Sequence, residues 1–486
     1  MARNRSLPSA QNHGQSPLLA LMSASLREMP ATGHYRVAYS GGADSHALLH
    51  GMAALGNALG NALGNAMGNA RRDALGGAEI SAIHVNHGLH PDARDWAAHA
   101  ARVCRDLGIP CRILQVDARP ILGKGPGEGP EAAARRARYD AIRGIMDSGD
   151  MLLTAHHQDD QAETLLLQMI RGAGPHGLAG MPRCIGFGVG WLGRPLLGVE
   201  RDVLRRYARI EGLHWIEDHS NEDTRFDRNY IRHEILARLR ARWPGVTGTL
   251  ARVAAHQART AEQLDELAEA DLATVAEGRN ALSCARLRHL PLARQRNLLH
   301  AWFRGSGLPP PHAVHIERIL NDVMAAAPDR EPLVSWKGAE VRRYRDHLHA
   351  GAPLPSRDFG DVHDLGEIRS SGGIPWRLGE PLRLPHGRWE ARRIPGQGLR
   401  IADCPDTVEV RFRQGGERCR IGAGGCAHRL KKLFQARGIP PWERERIPLV
   451  FIRGQLAAVA GLWVCHPFAA GDGEPGWEFR WFPDRG

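Results

Sequence analysis

Two short stretches carry residue types that could do chemistry together. The first is LLTAHHQDDQAETLLLQMIRG, residues 152–172, where an apolar run meets two histidines and then three acids. Asp160 and Glu163 are three apart and Asp159 and Glu163 four apart, so on a helix they share one face in its first turns. Acids there are favoured by the helix dipole alone. Their chemical use would be to hold a divalent cation and to attract a cationic ligand. The second stretch is VAYSGGADSHALL, residues 37–49. Glycines at the tip of a strand let backbone N–H groups approach an anion, and a following helix aims its positive end at the same point. Ser40 and Ser45 add hydroxyl donors. Asp44 would repel a phosphate unless it holds Mg²⁺ against it or caps the helix. No lysine follows the glycines, so this is not a Walker A loop. An ordinary capped strand-to-helix turn would use the same residues.

Arginines supply the positive side. Arg135 and Arg138 share a helix face, and Arg228, Asn229 and Arg232 open another helix after a polar turn at Asp218, Ser220 and Asn221. Such groups suit phosphates and base edges, or simply a solvated face. Near the C-terminus Arg429, Lys431, Lys432 and Arg437 make a basic cluster, with Phe434 and Trp442 as candidate stacking partners. The net charge is +11, and only four of the 64 basic residues are lysine. This balance favours an anionic partner such as nucleic acid. His84 and His87 close a strand on the same edge as the glycine turn. The eight cysteines include no C-x-x-C pair, which argues against zinc, iron–sulfur and redox motifs. No apolar run is long enough to span a bilayer and no signal peptide is evident, so the expected setting is reducing and cytoplasmic, without a membrane.

The elements that must place these groups follow from the pattern of apolar runs. YRVAYS, AEISAIHV, CRILQV and DMLLTA read as buried strands, with helices at 44–54, 92–107 and 130–147 between them. This rhythm predicts an α/β fold with a parallel, doubly wound sheet, whose ligands gather at the carboxyl ends of the strands. Residues 1–30 read as an irregular tail. The tetrapeptide repeat ALGN within 54–70 reads as a flexible insert, since each glycine costs a helix about 1 kcal/mol relative to alanine. The expected domains are 31–245 for the parallel sheet, a helical domain over 246–355, and a small α+β domain over 356–486.

SGGADS resembles the PP-loop of the N-type ATP pyrophosphatases, which split ATP into AMP and pyrophosphate. The run from His156 through Asp159, Asp160, Gln161 and Glu163 to Thr164 resembles the H-x-x-D-D-Q-x-E-T motif of the tRNA(Ile)-lysidine synthetases within that superfamily. So do IHVNHGLHPDARDW, PEAAARRARYDAI, RGAGPHGLAGM and the segment from Trp215 to Leu236. RFRQGGERCR and 430–450 resemble the C-terminal domain of the family's long form. One departure is His90, where the family's second motif leads us to expect arginine. The resemblance implies ATP and Mg²⁺, and as partners L-lysine and a tRNA(Ile) with a CAU anticodon. A homodimer is an open arrangement.

Carried onto this chain, the resemblance places ATP on Ser40, Gly41, Gly42, Ala43, Asp44 and Ser45. Asp44 and Asp160 are the candidates for Mg²⁺, and with Arg135 and Arg228 for catalysis. Asp159 and Glu163 are the candidates for lysine. Arg232, Arg429, Lys431, Lys432 and Arg437 are the candidates for tRNA. The rival readings are another PP-loop tRNA-modifying enzyme of the thiolase type, and a non-catalytic RNA-binding protein.

Overall fold

The structure, a computed structural model, describes residues 16–60, 75, 77–86, 88, 91–116, 130–217, 222–278, 280–327, 330–353, 373–384 and 387–483. His87, His90, Asp218, Ser220, Asn221 and repeat residues 61–70 lie outside them. The chain forms two compact units, Met1–Leu267 and Ala268–Gly486, which divide inside the helix Val246–Val275.

The first unit is built on a six-stranded sheet. Its strands are β1 (His34–Ala38), β2 (Glu79–Asn86), β3 (Cys111–Gln115), β4 (Met151–Leu153), β5 (Cys184–Phe187) and β6 (Gly190–Gly193), in the order β3-β2-β1-β4-β6-β5. All neighbours are parallel except β5 and β6. Val37 at the centre pairs with Ala82 on one side and Leu153 on the other. The expected parallel fold is therefore present, with an antiparallel hairpin at one edge that turns at Gly188 (φ 61°). β3 is an edge strand and is less buried than its apolar letters implied. Strand order reverses at β1, with β2 on one side and β4 on the other, and this places a crevice at the carboxyl ends of β1 and β4.

Two expectations need correction. Within the supposed tail, Pro17–Arg27 is a helix whose Leu18, Met22 and Leu26, spaced by four, enter the main core. Met22 is 0% exposed and packs where the helix after β1 carries Gly51; a Cβ there would lie 2.7 Å from the Met22 sulfur. That second helix also runs on to Gly60, into the first copies of the repeat. Gly56 explains part of this. A Cβ there would sit 2.8 Å from Ile80 of β2, so the glycine permits the close packing that offsets its conformational cost.

In the second unit, helices Cys284–His289, Leu292–Gly305 and Ala313–Arg318 accompany a four-stranded antiparallel sheet around one core that includes Leu298, Phe303 and Val341. Further on, a five-stranded and a four-stranded sheet share a second core that includes Trp376, Val410 and Trp477. The basic helix is Leu430–Ala436, and nearby Cys419 and Cys465 are joined.

Candidate active site

The turn after β1 is held by its own side chains. Ser45 Oγ donates to the carbonyl of Gly42 at 2.9 Å and lies 3.0 Å from Ser40 Oγ, while the backbone N–H of Ser40 donates to Ser45 Oγ at 3.3 Å. Gly41 has φ +93°, and its carbonyl accepts the N–H of Ile216 at 2.9 Å. A Cβ at Gly41 would meet Ile216 Cδ1 at 3.0 Å. Both the backbone angle and this neighbour therefore require glycine. The helix that follows begins at Ala43, directly behind the turn.

β4 delivers the second half of the site. Thr154 to His157 leave its carboxyl end, and the acid helix Gln158–Ile170 begins. His157 is the cap. Its Nδ1 accepts the backbone N–H of Asp159 at 3.2 Å, and its own N–H donates to Asp160 Oδ2 at 2.9 Å, which closes a reciprocal capping box. Its Nε2 faces Asp44 Oδ2 and Asp160 Oδ2, each at 3.4 Å. One histidine, 2% exposed, thus joins the glycine turn to the acid helix. Sequence reading missed it because His156, its neighbour, fills the motif position, and a cap is defined by geometry.

The electrostatics agree with that geometry. Burial pushes the Asp160 carboxyl up, but the charges of His157 and Arg228 outweigh it and hold the group at about 2. Burial likewise acts against Asp44, and the hydrogen bond and charge of His157 bring it below its usual range. His157 itself is raised, because Asp160 and Asp44 overcome the effect of burial. His156 is different. Burial drives it down to about 3, so it stands neutral, with Nδ1 2.8 Å from Thr154 Oγ1. His84 is also lowered by burial, and its Nδ1 lies 2.9 Å from the Tyr39 carbonyl.

The acids expected to meet lysine are engaged with arginines. Glu163 is 0% exposed. Its Oε2 accepts from Arg228 Nε at 2.8 Å and its Oε1 from Arg232 Nε at 2.6 Å. The same two guanidiniums donate to Asp160 Oδ1 at 3.0 and 3.1 Å. Asp159 pairs with Arg240 at 2.6 Å. The arginines come from a helical stretch, Asp227–Arg242, with a π-helical turn at Ile231–Ile235. Ile231 and Leu236 clamp it against Ala162 of the acid helix. Gln161 ties in the glycine run that follows: its amide donates to the Met181 carbonyl at 3.1 Å and accepts the Met181 N–H at 2.8 Å. Thr164 turns its hydroxyl back to the carbonyl of Asp160 at 2.8 Å.

Asp44, Asp160, Glu163, Arg228 and Arg232 are therefore brought together, with Ser40 to Ser45 alongside. Arg135 makes no ion pair with this group among the described residues; it lies over the ring of Tyr139 at 5.0 Å, and its charge acts on His156 together with those of Asp160 and Arg228. In the second unit Arg429, Lys431, Lys432 and Arg437 are exposed, and Arg437 lies over Trp463 at 5.7 Å. Phe434 cannot stack on a base, for it is 0% exposed and packs on Trp463 inside the core. Trp442 is engaged edge-on by Tyr344 and His349.

Mg²⁺ can be tested against these groups. Asp44 Oδ1 is buried with no hydrogen-bond partner, as a ligand oxygen awaiting a cation would be. Asp160 lies across His157 from it, but both its oxygens are already engaged. No group of three or more His, Cys, Asp or Glu among the described residues is set to hold a metal alone. This fits a Mg²⁺ site completed by phosphate oxygens and water, as that ion prefers. No helix among the described residues is long and apolar enough to cross a membrane.

Comparison with known proteins agrees with the site. Residues 19–239 match the model of the PP-loop domain, 282–349 that of the TilS substrate binding domain, and 408–481 that of the TilS substrate C-terminal domain. A tRNA(Ile)-lysidine synthase of Methylococcus capsulatus is 41% identical over 92% of this chain and 96% of its own length. One of Coxiella burnetii is 38% identical over 94% and 95%. Among solved structures, a U34-tRNA thiolase of Methanococcus maripaludis matches 49% of this chain and 76% of its own at 17% identity, with a TM-score of 0.38, too distant to bear on activity. With a PP-loop domain for ATP, two further matched domains and near full-length relatives, the chain belongs to the tRNA(Ile)-lysidine synthase family.

Proposed function

We propose that this protein joins L-lysine to C2 of the wobble cytidine, position 34, of a CAU-anticodon tRNA(Ile). O2 of the cytidine attacks the α-phosphate of ATP, pyrophosphate leaves, and the base is adenylated. The lysine ε-amine then attacks C2 and AMP leaves. The observation that carries this reading is the link from Asp44 through His157 to Asp160, which makes the phosphate turn and the acid helix one site.

The roles follow the geometry. The turn from Ser40 to Ser45 binds the departing pyrophosphate through its backbone and hydroxyls. Asp44, with Asp160 behind it, would hold Mg²⁺, which when bound neutralises charge on the phosphates. Arg228 keeps Asp160 ionised, holds Asp160 and Glu163 in place, and is within reach of a phosphate. Asp159 or Glu163 can take the lysine ammonium only by exchanging a guanidinium for it. An anticodon base is unpaired and can be splayed into the crevice without melting a duplex. We assign 246–355 and 356–486 to holding the tRNA, with Arg429, Lys431, Lys432 and Arg437 on its backbone.

The test is AMP release with a CAU-anticodon transcript, with and without lysine, followed by mass analysis of the nucleoside. Lysine-dependent AMP and a lysine-adduct mass are expected. AMP release that requires a sulfur donor instead would move the protein to the thiolase reading, and no release at all would leave only RNA binding.

A further inference from the structure

One charged residue on the active edge of the sheet is unlike the rest. Arg194 follows directly on β6, whose parallel neighbour β4 delivers His156, so it emerges on the same edge as the phosphate turn. It is 6% exposed. Its Nη1 donates to the Pro182 carbonyl at 2.6 Å, its Nε has no partner, and no carboxylate pairs with it among the described residues. A buried cation without an anion is a net cost to folding. Arg228 and Arg232, a short way along the same edge, each have two carboxylates. Arg194 is what remains when the anion is to come from a ligand.

The surroundings define that ligand. Arg194 lines a cavity of about 490 Å³ together with Arg135, Arg136, Tyr139, Asp140 and Arg143. Asp140 is paired with Arg143 at 2.5 Å, so the walls keep an excess of positive charge. Arg135 already lies over the Tyr139 ring at 5.0 Å and Phe187 meets that ring edge-on at 5.7 Å, so the ring holds the guanidinium in place on the cavity wall. β6 is two strands from β1, roughly 10 Å across the sheet from the strand that carries the phosphate turn. The cavity runs along the arginines of the helix Pro130–Arg143, and Arg135 and Arg194 both act electrostatically on His156 at the head of the acid helix. We propose that Arg194 and Arg135 bind a backbone phosphate of the RNA strand beside the target base, with Tyr139 holding the Arg135 guanidinium in position. This rests on the function given above and adds the place where the single strand is gripped.

The full-length protein tests it. Arg194→Met removes the charge and keeps the bulk, and Arg194→Lys restores a charge without the fork. Binding of a fluorescent CAU anticodon stem-loop is measured against KCl concentration, with KM for ATP and the melting temperature in parallel. R194M is expected to bind the stem-loop about tenfold to a hundredfold more weakly, with a salt slope lower by about 1, an unchanged KM for ATP and a melting temperature no lower than wild type. R194K should recover part of the binding. A raised KM for ATP with normal stem-loop binding would assign the anion to the nucleotide and overturn the proposal. A lower melting temperature with binding unchanged would make Arg194 structural and overturn it as well. Wild-type protein that gives no lysine-dependent AMP would sink the functional reading itself, whereas active wild type with an indifferent R194M sinks only this one.

Discussion

The phosphate turn with its acid helix and the basic helix Leu430–Ala436 both read as charged sites, but they hold charge in opposite ways. In the first, Asp160 and Glu163 are buried against two guanidiniums and a histidine, and partners share oxygens. In the second, Arg429, Lys431 and Lys432 stand in solvent on a helix whose apolar side, Leu430 and Phe434, is fixed in a core. The buried network should fail as a unit when one member is lost. The exposed cations should act in small, additive, salt-sensitive steps.

The largest expected effect comes from Glu163→Gln, which leaves Arg228 and Arg232 to share one carboxylate. Breaking a buried pair costs about 3–5 kcal/mol, so urea unfolding should show a lowered midpoint along with lost AMP formation. An unchanged midpoint would mean the network is no more coupled than the surface. His157 separates two jobs. His157→Asn keeps an oxygen to cap Asp159 but cannot reach Asp44, whereas His157→Gln reaches Asp44 and loses the cap. We expect H157N to melt near wild type with kcat down about a hundredfold and weaker stabilisation by Mg·ATP in a melting assay, and H157Q to regain part of both. Normal kcat in H157N, with the loss falling on H157Q alone, would reduce His157 to a cap.

Acid should also act on the buried side. Burial lowers His46, in the helix behind the phosphate turn, to about 4. Between pH 6.5 and 4 the folded protein binds fewer protons there than the unfolded chain, so stability falls as pH drops through this window and is flat above it. His46→Gln should flatten the profile of melting temperature against pH. The smallest effect belongs to the exposed helix. Lys431→Ala with Lys432→Ala should raise KM for tRNA a few-fold at low salt, lower the salt slope by about 2, and leave the KM for ATP alone. A collapse of kcat in that double variant would erase the contrast.

Much of the first unit was legible in sequence. Four apolar runs, each before a helix, fixed a parallel sheet, and the turn at Gly41 and the acids at Asp159, Asp160 and Glu163 fell at strand ends, where such sheets bind ligands. What spacing could not convey is which helices face each other. Arg228 and Arg232 are four apart and Asp160 and Glu163 three, so the two sets mesh once the helices pack, and groups read as ligands for phosphate and lysine turn out to hold one another. The Pro17–Arg27 helix was hidden by its polar surroundings although its apolar residues recur every four. Arg194 gave no signal at all, because burial without a partner is a property of the fold alone.

The capping of the acid helix by a residue that also grips the phosphate turn has a practical corollary. Two segments far apart in the chain behave as one machined part, so transplanting SGGADS into another protein, or exchanging it with a related loop, would carry over only half of a working grip. A designer would have to move the histidine at the head of the second helix along with it.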